Sequence, residues 1–273
     1  MLRQADVAMY AAKDMGKNRY ALFQREMHDR LVRRVQLERE LREAAELDQL
    51  EIHYQPIVDL TTGKIAGVEA LMRWLHPDRG LMMPDDFVEV AEETGMIVPL
   101  GRLLRLKAFM QTRTWIEAGF GSPGFHLSVN VSPRELEDDQ FVVHLLADLE
   151  STGLGSQRLV VEVTEGMMMR SRVHGVRTLE SLRLNGVRSA IDDFGTGYSS
   201  LSYLQELPAS ILKIDRSFVN RLHASTHSDK GVVAAIIAMG QNLGLTTVAE
   251  GVETEHQRAL LFALGCELGQ GYH

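Results

Sequence analysis

The 273-residue sequence holds a single cysteine, Cys266. An internal disulfide framework is therefore excluded, and the chain fits a reducing compartment, with Cys266 read as a small buried apolar residue. No run of about 18 apolar residues occurs, so nothing in the sequence reads as a bilayer span. Residues 1–20 carry Arg3, Asp6, Lys13, Asp14 and Lys17, which is wrong for a secretory leader. There is no basic stripe, and the formal charge is -8, so a nucleic-acid duplex is not an expected partner. With a single cysteine in the chain, a structural zinc is disfavoured. A Gly-x-Gly-x-x-Gly fingerprint after a first strand is also missing, which lowers a dinucleotide fold.

What is present is ample core material, 45% apolar residues, and a regular alternation. Strands are expected at Ile52–Val58, Ile65–Arg73, Phe125–Val131, Leu159–Thr164, Arg188–Phe194, Ile211–Asp215, Thr246–Ala249 and Gly269–Tyr272. Helices are expected at Pro84–Glu93, Leu100–Ala118, Gln140–Thr152, Ser171–Asn185, Tyr198–Leu207, Lys230–Leu243 and Glu255–Leu264. Eight strands in this length favour an α/β fold, a closed TIM-like (β/α)8 barrel. Before it, residues 24–48 read as an amphipathic linker helix with Met27, Leu31, Val35, Leu41 and Ala45 inward, and with Glu38 and Arg42 paired at i, i+4. Residues 1–23 offer one helix and a short strand, Tyr20 to Phe23, too little to bury a core. Both ends read as internal to a longer protein.

The stretch around which the chain is organised is Ser189-Ala-Ile-Asp-Asp-Phe-Gly-Thr-Gly-Tyr-Ser-Ser-Leu201. Two adjacent acids, Asp192 and Asp193, converge only where a strand is ending, and their repulsion is relieved by a cation. Other expected strands also end in oxygen donors or a cation: Glu69, Asn130, Glu162, Lys213, Glu250 and Gln270. Singly, each has a dull explanation, such as a buried ion pair for Glu69 or Glu162, a helix cap for Asn130 (Ser132 being better placed), or an edge position for Lys213. Together at the C-terminal strand ends of a barrel they suit an octahedral Mg2+ or Mn2+.

The ordered segments Tyr54-Gln-Pro-Ile57, Glu69-Ala-Leu-Met-Arg-Trp74, Asn130-Val-Ser-Pro133, Glu162-Val-Thr-Glu165, Asp192-Asp-Phe-Gly-Thr-Gly-Tyr-Ser-Ser-Leu201, Leu212-Lys-Ile-Asp215, Ala249-Glu-Gly-Val-Glu253 and Gln270-Gly-Tyr272 resemble the EAL-domain family of cyclic di-GMP phosphodiesterases. Residues 1–23 are similar to the closing helix and strand of a diguanylate cyclase (GGDEF) domain without its signature motif. The resemblance implies a composite GGDEF–EAL parent divided into 1–23, 24–48 and 49–273, and a modified barrel whose first strand is antiparallel.

It also implies roles. Glu69, Asn130, Glu162 and Asp192 hold one metal; Asp192, Asp193 and Glu250 hold a second. Lys213 orients the attacking water, Glu250 accepts its proton, and Glu165 braces the loop from Phe194 to Ser200. Gln55, Leu71, Arg73, Asp215, Glu253 and Gln270 grip the dinucleotide, which opens to linear pGpG. Ca2+ is expected to bind without supporting turnover. A cytoplasmic homodimer is implied, with any membrane anchor of the parent outside these residues. Two departures are Gly166, where the family commonly has Ser, and the end at His273, where the family continues for several residues. The rival readings are a degenerate EAL domain that binds the dinucleotide or a protein without cleaving, and an unrelated His-rich barrel hydrolase. The first lacks ring ligands that are all present here; the second needs strand-end histidines that are absent.

Overall fold

The computed structural model describes residues 22–121, 123–195, 201–222 and 227–271, with isolated positions 9 and 20. Of the helix expected near Ala5–Ala12 only Met9 is described, in a helix; the segment Thr196–Ser200 of the loop from Phe194 to Ser200, and Tyr272, lie outside the described residues. So do the side chains of Met27 and Leu31, both expected inward on the linker helix. Of the expected strand Tyr20–Phe23, residues Tyr20, Leu22 and Phe23 are not in a strand. A strand exists only by pairing, and none of the described strands pairs there.

The chain divides into two compact units, residues 1–51 with 73–97, and residues 52–72 with 98–273. The first contains the linker helix, Arg25–Glu46. Its buried face is Leu37, Leu41 and Ala44, one stripe at i, i+4 and i+7, whereas Val35, expected inward, is 59% exposed. That register follows from what it packs on. Arg34 pairs with Glu93 of helix Val88–Thr94 at 2.7 Å. Glu40 accepts from His76 and from Arg79 at 3.2 and 2.8 Å. The expected Glu38–Arg42 pair is present at 3.2 Å. The helix expected over Pro84–Glu93 is broken into a 3-10 turn, Pro84–Asp86, and Val88–Thr94. Phe87 between them is fully buried edge-on against Trp74, centroids 5.6 Å apart. Anchoring that ring takes Phe87 out of helical geometry, at φ -143 and ψ -18.

The second unit carries the barrel. β1 (Leu50–Asp59), β2 (Ile65–His76), β4 (His126–Asn130), β5 (Leu159–Thr164), β6 (Arg188–Phe194), β7 (Ile211–Ile214), β8 (Thr246–Val252) and β9 (Leu268–Gly271) form the ring. Its order is β1-β9-β8-β7-β6-β5-β4-β2, closed by pairing of β1 with β2. β1 runs antiparallel to β9, and the β2-β4-β5-β6-β7-β8-β9 ladder is parallel throughout. A short β3 (Gly80–Met82), absent from the sequence expectation, forms a hairpin with the end of β2 around Gly80 at φ +71. The parallel strands are buried on both faces, as β5 shows over Leu159–Val163. One face meets the helices; the other fills the barrel with Ile57, Val160, Ala190, Ile211, Val248 and Leu268.

Three strand ends pass directly into capped helices. Ser132 makes a reciprocal box with Glu135 over Pro133–Leu136, so the cap falls to Ser132 and Asn130 is left for other work. Thr164 caps Glu165–Arg170 and Asp215 caps Arg216–Arg221. The caps fix the direction in which the last residues of β4, β5 and β7 leave the barrel. Among the described residues, no helix is long and apolar enough to cross a membrane.

Candidate active site at the strand ends

Inward positions recur every second residue, so the ends of β2, β4, β5, β6, β7, β8 and β9 can aim one group each at a common point. Register aligns them: Asn130 pairs with Glu162, Thr164 with Asp192, and Glu250 with Gln270. The point on which they converge is the Lys213 ammonium, 1% exposed. Its Nζ lies 2.6 Å from Glu162, 2.7 Å from Glu250, 3.1 Å from Asp192 and 3.3 Å from Glu69.

Glu69 is held from the other side as well. Asn130 Nδ2 donates to its Oε1 at 2.7 Å, and Gln270 Nε2 donates to its Oε2 at 2.6 Å. Gln270 Nε2 also reaches Gln55 Oε1 at 2.9 Å, tying β9 to β1. Asp192 Oδ1 accepts from the amide of Asp193, whose φ of +55 is left-handed and rare outside glycine. That conformation turns the second acid back toward the first. Asp192, Asp193 and Glu250 each offer an oxygen within 4.8 Å of the others.

Charge within this ring is out of balance. Four carboxylates contact one ammonium, with the exposed Asp193 beside Asp192 as a fifth acid, and burial penalises the ionised form of the inner ones. Burial, with Glu69 and Asp192 beside it, holds Glu162 well above the ordinary carboxylate range against the pull of Lys213. Burial pushes Glu250 up to about 7. Asp193 is raised by burial and by Asp192 and Asp215. Burial also acts on Glu69, but Lys213 and the Gln270 and Asn130 donors outweigh it and hold the group low. Lys213 keeps its proton firmly, since its four carboxylates more than offset burial. Protons are thus making up a deficit of positive charge. Hard oxygen donors with surplus negative charge fit a divalent cation such as Mg2+ or Mn2+.

The remaining sequence candidates fall in graded positions. Glu165 Oε2 accepts from the amide of Gly195 at 3.0 Å, so it does brace the start of the loop after β6. Leu71 follows Glu69 by two residues on β2 and is half-buried. Asp215 is half-buried, with Oδ1 accepting from the Ser217 amide at 3.0 Å. Glu253 is exposed, and its amide is held by Gln257 at 2.8 Å; its side chain is not joined to the ring. Arg73 belongs to the other compact unit. Gly166 is exposed, and a Cβ at that position would have nothing within 4 Å, so there is room for a serine there. A buried support that the candidate set omitted is the Arg105–Glu135 ion pair. It anchors the helix that follows Asn130, and its signal in the sequence is the Ser132-x-x-Glu135 capping pattern.

The EAL domain family model matches residues 38–273. The bifunctional diguanylate cyclase/cyclic di-GMP phosphodiesterase MucR of Pseudomonas aeruginosa is 44% identical over 272 residues, covering all of this chain and 39% of that protein. The cyclic di-GMP phosphodiesterase NbdA of the same organism is 43% identical, with all of this chain and 34% of its own length covered. This chain thus spans about two fifths or less of these relatives. A solved structure described as the PaMucR phosphodiesterase in complex with c-di-GMP superposes with a TM-score of 0.83 at 45% identity, covering 87% of this chain and 95% of that one.

Proposed function

The chain belongs to the EAL domain family, and from that premise we propose that it is a metal-dependent phosphodiesterase that opens cyclic di-GMP to linear pGpG. The observation that carries this reading is the ring of carboxylates converging on buried Lys213. Relatives named as cyclic di-GMP phosphodiesterases, and a relative solved with the dinucleotide, support the substrate. Glu69, Asn130, Glu162 and Asp192, with Asp193 and Glu250, would hold Mg2+ or Mn2+. When bound, such an ion supplies positive charge to phosphoryl oxygens and makes nearby water more acidic.

The chain's own residues do the rest. Glu250, an oxygen base at the same strand-end ring, accepts the proton of the attacking water. Lys213 stays cationic and offsets the charge that grows on phosphorus oxygens as the 3′-oxygen leaves. Gln270 Oε1 is buried and has no partner among the described residues, leaving an acceptor for a guanine N–H. Gln55, Leu71, Arg73, Asp215 and Glu253 complete the proposed grip, and Glu165 keeps the loop after β6 attached.

In the parent protein, residues 1–23 close a GGDEF-like domain, 24–48 link, and 49–273 catalyse, as a cytoplasmic homodimer. Sedimentation velocity tests the dimer.

The deciding experiment is turnover of cyclic di-GMP with Mg2+ or Mn2+, with pGpG resolved by chromatography and EDTA as control. Metal-dependent pGpG is expected, lost on Glu69→Ala; Ca2+ should bind without turnover. Tight binding of the dinucleotide without cleavage would replace the enzyme by a receptor.

A further inference from the structure

The other end of the barrel carries two arginines and a neutral histidine. On the three consecutive strands β4, β5 and β6, the proposed metal-site residues are Asn130, Glu162 and Asp192. Four residues back from each stand His126 at the start of β4, Arg188 at the start of β6, both on the inward alternation of their strands, and Arg158, which ends the 3-10 turn Ser156–Arg158 that leads into β5. Between the two sets lie Ser128, Val160 and Ala190, the last two part of the apolar filling. The acidic mouth is thus backed by a basic one, at the N-terminal strand ends.

Among the described residues, these three groups lack an opposing charge. Arg158 Nη1 is fixed by two backbone carbonyls, Pro123 at 2.6 Å and Phe125 at 2.9 Å, which aim the guanidinium without neutralising it. Arg188 is half-buried and, among the described residues, has neither a hydrogen bond nor a carboxylate partner. Burial and the nearby Arg158 lower its proton affinity. His126 is buried with the backbone carbonyls of Gly124 and Ala66 beside its ring, and its Nε2 has no hydrogen-bond partner of good geometry among the described residues. The ring occupies space that a side chain on Gly67 would take, since a Cβ there would fall 2.8 Å from Nε2. Burial, then Arg188, holds the imidazole neutral, at about 4. A half-buried cation facing another cation, with no anion between, is unfavourable unless a ligand supplies one.

We propose that the N-terminal mouth of the barrel is an anion site, in which Arg158, Arg188 and His126 take a phosphate dianion, either inorganic phosphate or a phosphate monoester. Guanidinium forks match tetrahedral oxyanions, and fixed carbonyl contacts leave Arg158 pre-oriented for one. The site is on the face of the barrel opposite the carboxylate ring and does not depend on turnover.

The test is titration of inorganic phosphate into the whole protein, by calorimetry and by thermal melting, with chloride holding ionic strength constant. Phosphate should raise the melting temperature of the native protein by several degrees, and Arg188→Gln should weaken the binding about tenfold or more. Without phosphate, Arg188→Gln should be at least as stable as the native protein, since a repelled cation is removed. 5′-GMP and guanosine separate the sources: response to GMP but not guanosine marks a monoester, and response to phosphate alone marks the inorganic ion. Equal responses in both proteins, or none in the native one, overturn the proposal. Were Arg188→Gln unable to fold, the His126 imidazole resonances of the native protein would decide: movement with phosphate is expected, and constancy refutes the site.

Discussion

Lys213 Nζ lies 2.6 Å from Glu162 Oε2, with both side chains 1% exposed. This pair is the centre of a cluster in which one cation answers for several anions, and it sets what substitution there would do.

Replacing Lys213 by methionine leaves Glu69, Glu162, Asp192 and Glu250 without their shared partner. Breaking a buried ion pair on one side costs about 3–5 kcal/mol, or a fall in melting temperature of roughly 10 °C. In EDTA the fall should be larger at pH 8 than at pH 5, where protons substitute for the ammonium. An unchanged melting temperature at pH 8 would show that Lys213 does not compensate the ring.

Glu250 gives a pH signature. Its proton affinity rises from 4.5 to about 7 on folding, so between those values the folded chain keeps a proton that the unfolded chain releases. Its contribution is full below pH 4.5 and is lost as pH rises through about 7. The difference is about 3 kcal/mol. Urea unfolding in EDTA should show that Glu250→Gln reduces the loss of stability between pH 5 and pH 8 by an amount of that order. Parallel curves for the two proteins would contradict it.

Gly195 has φ +96, and a Cβ there would fall 2.9 Å from the Phe218 ring. Gly195→Ala should therefore cost about 1–3 kcal/mol and lower the proposed phosphodiesterase activity by shifting the loop after β6. Glu165→Ala removes the acceptor of the Gly195 amide, acting on the same attachment. A double-mutant cycle should show the two effects overlapping; strict additivity would separate them.

Cys266 is buried, with its thiol near the carbonyls of Leu268 and Thr247, and burial pushes its proton affinity up to about 11. A thiol reagent at pH 8 should leave the native protein unlabelled and modify it once in denaturant. Rapid native labelling would place the thiol at the surface.

β5 and β6 were legible in the sequence to the residue, because each is an apolar run closed by an acid and then by a cap or a turn. The oxygen donors were legible for the same reason, since each marks the end of such a run. The four-carboxylate embrace of Lys213 was not, because which side chains meet across a barrel depends on register among seven strands. The linker helix was expected from its period, yet Leu37 and Ala44, not Val35, are buried; two apolar stripes are present, and the packing partner selects one. The β3 hairpin and the helix Glu165–Arg170 are not legible, because three residues carry no period and Gly166 weakens a helix that Thr164 nonetheless starts.

The antiparallel β1 closes the barrel by pairing with β9, and their side chains join through Gln55 and Gln270, 215 residues apart in the chain. During synthesis on the ribosome, β1 must therefore wait, edge open, until Gly271 has left the exit tunnel. Until then Glu69 lacks its Gln270 donor. Such late, long-range closure is slow and leaves an unpaired strand exposed. Emergence of β9, and any chaperone that shields that edge, would govern how much closed barrel a cell obtains.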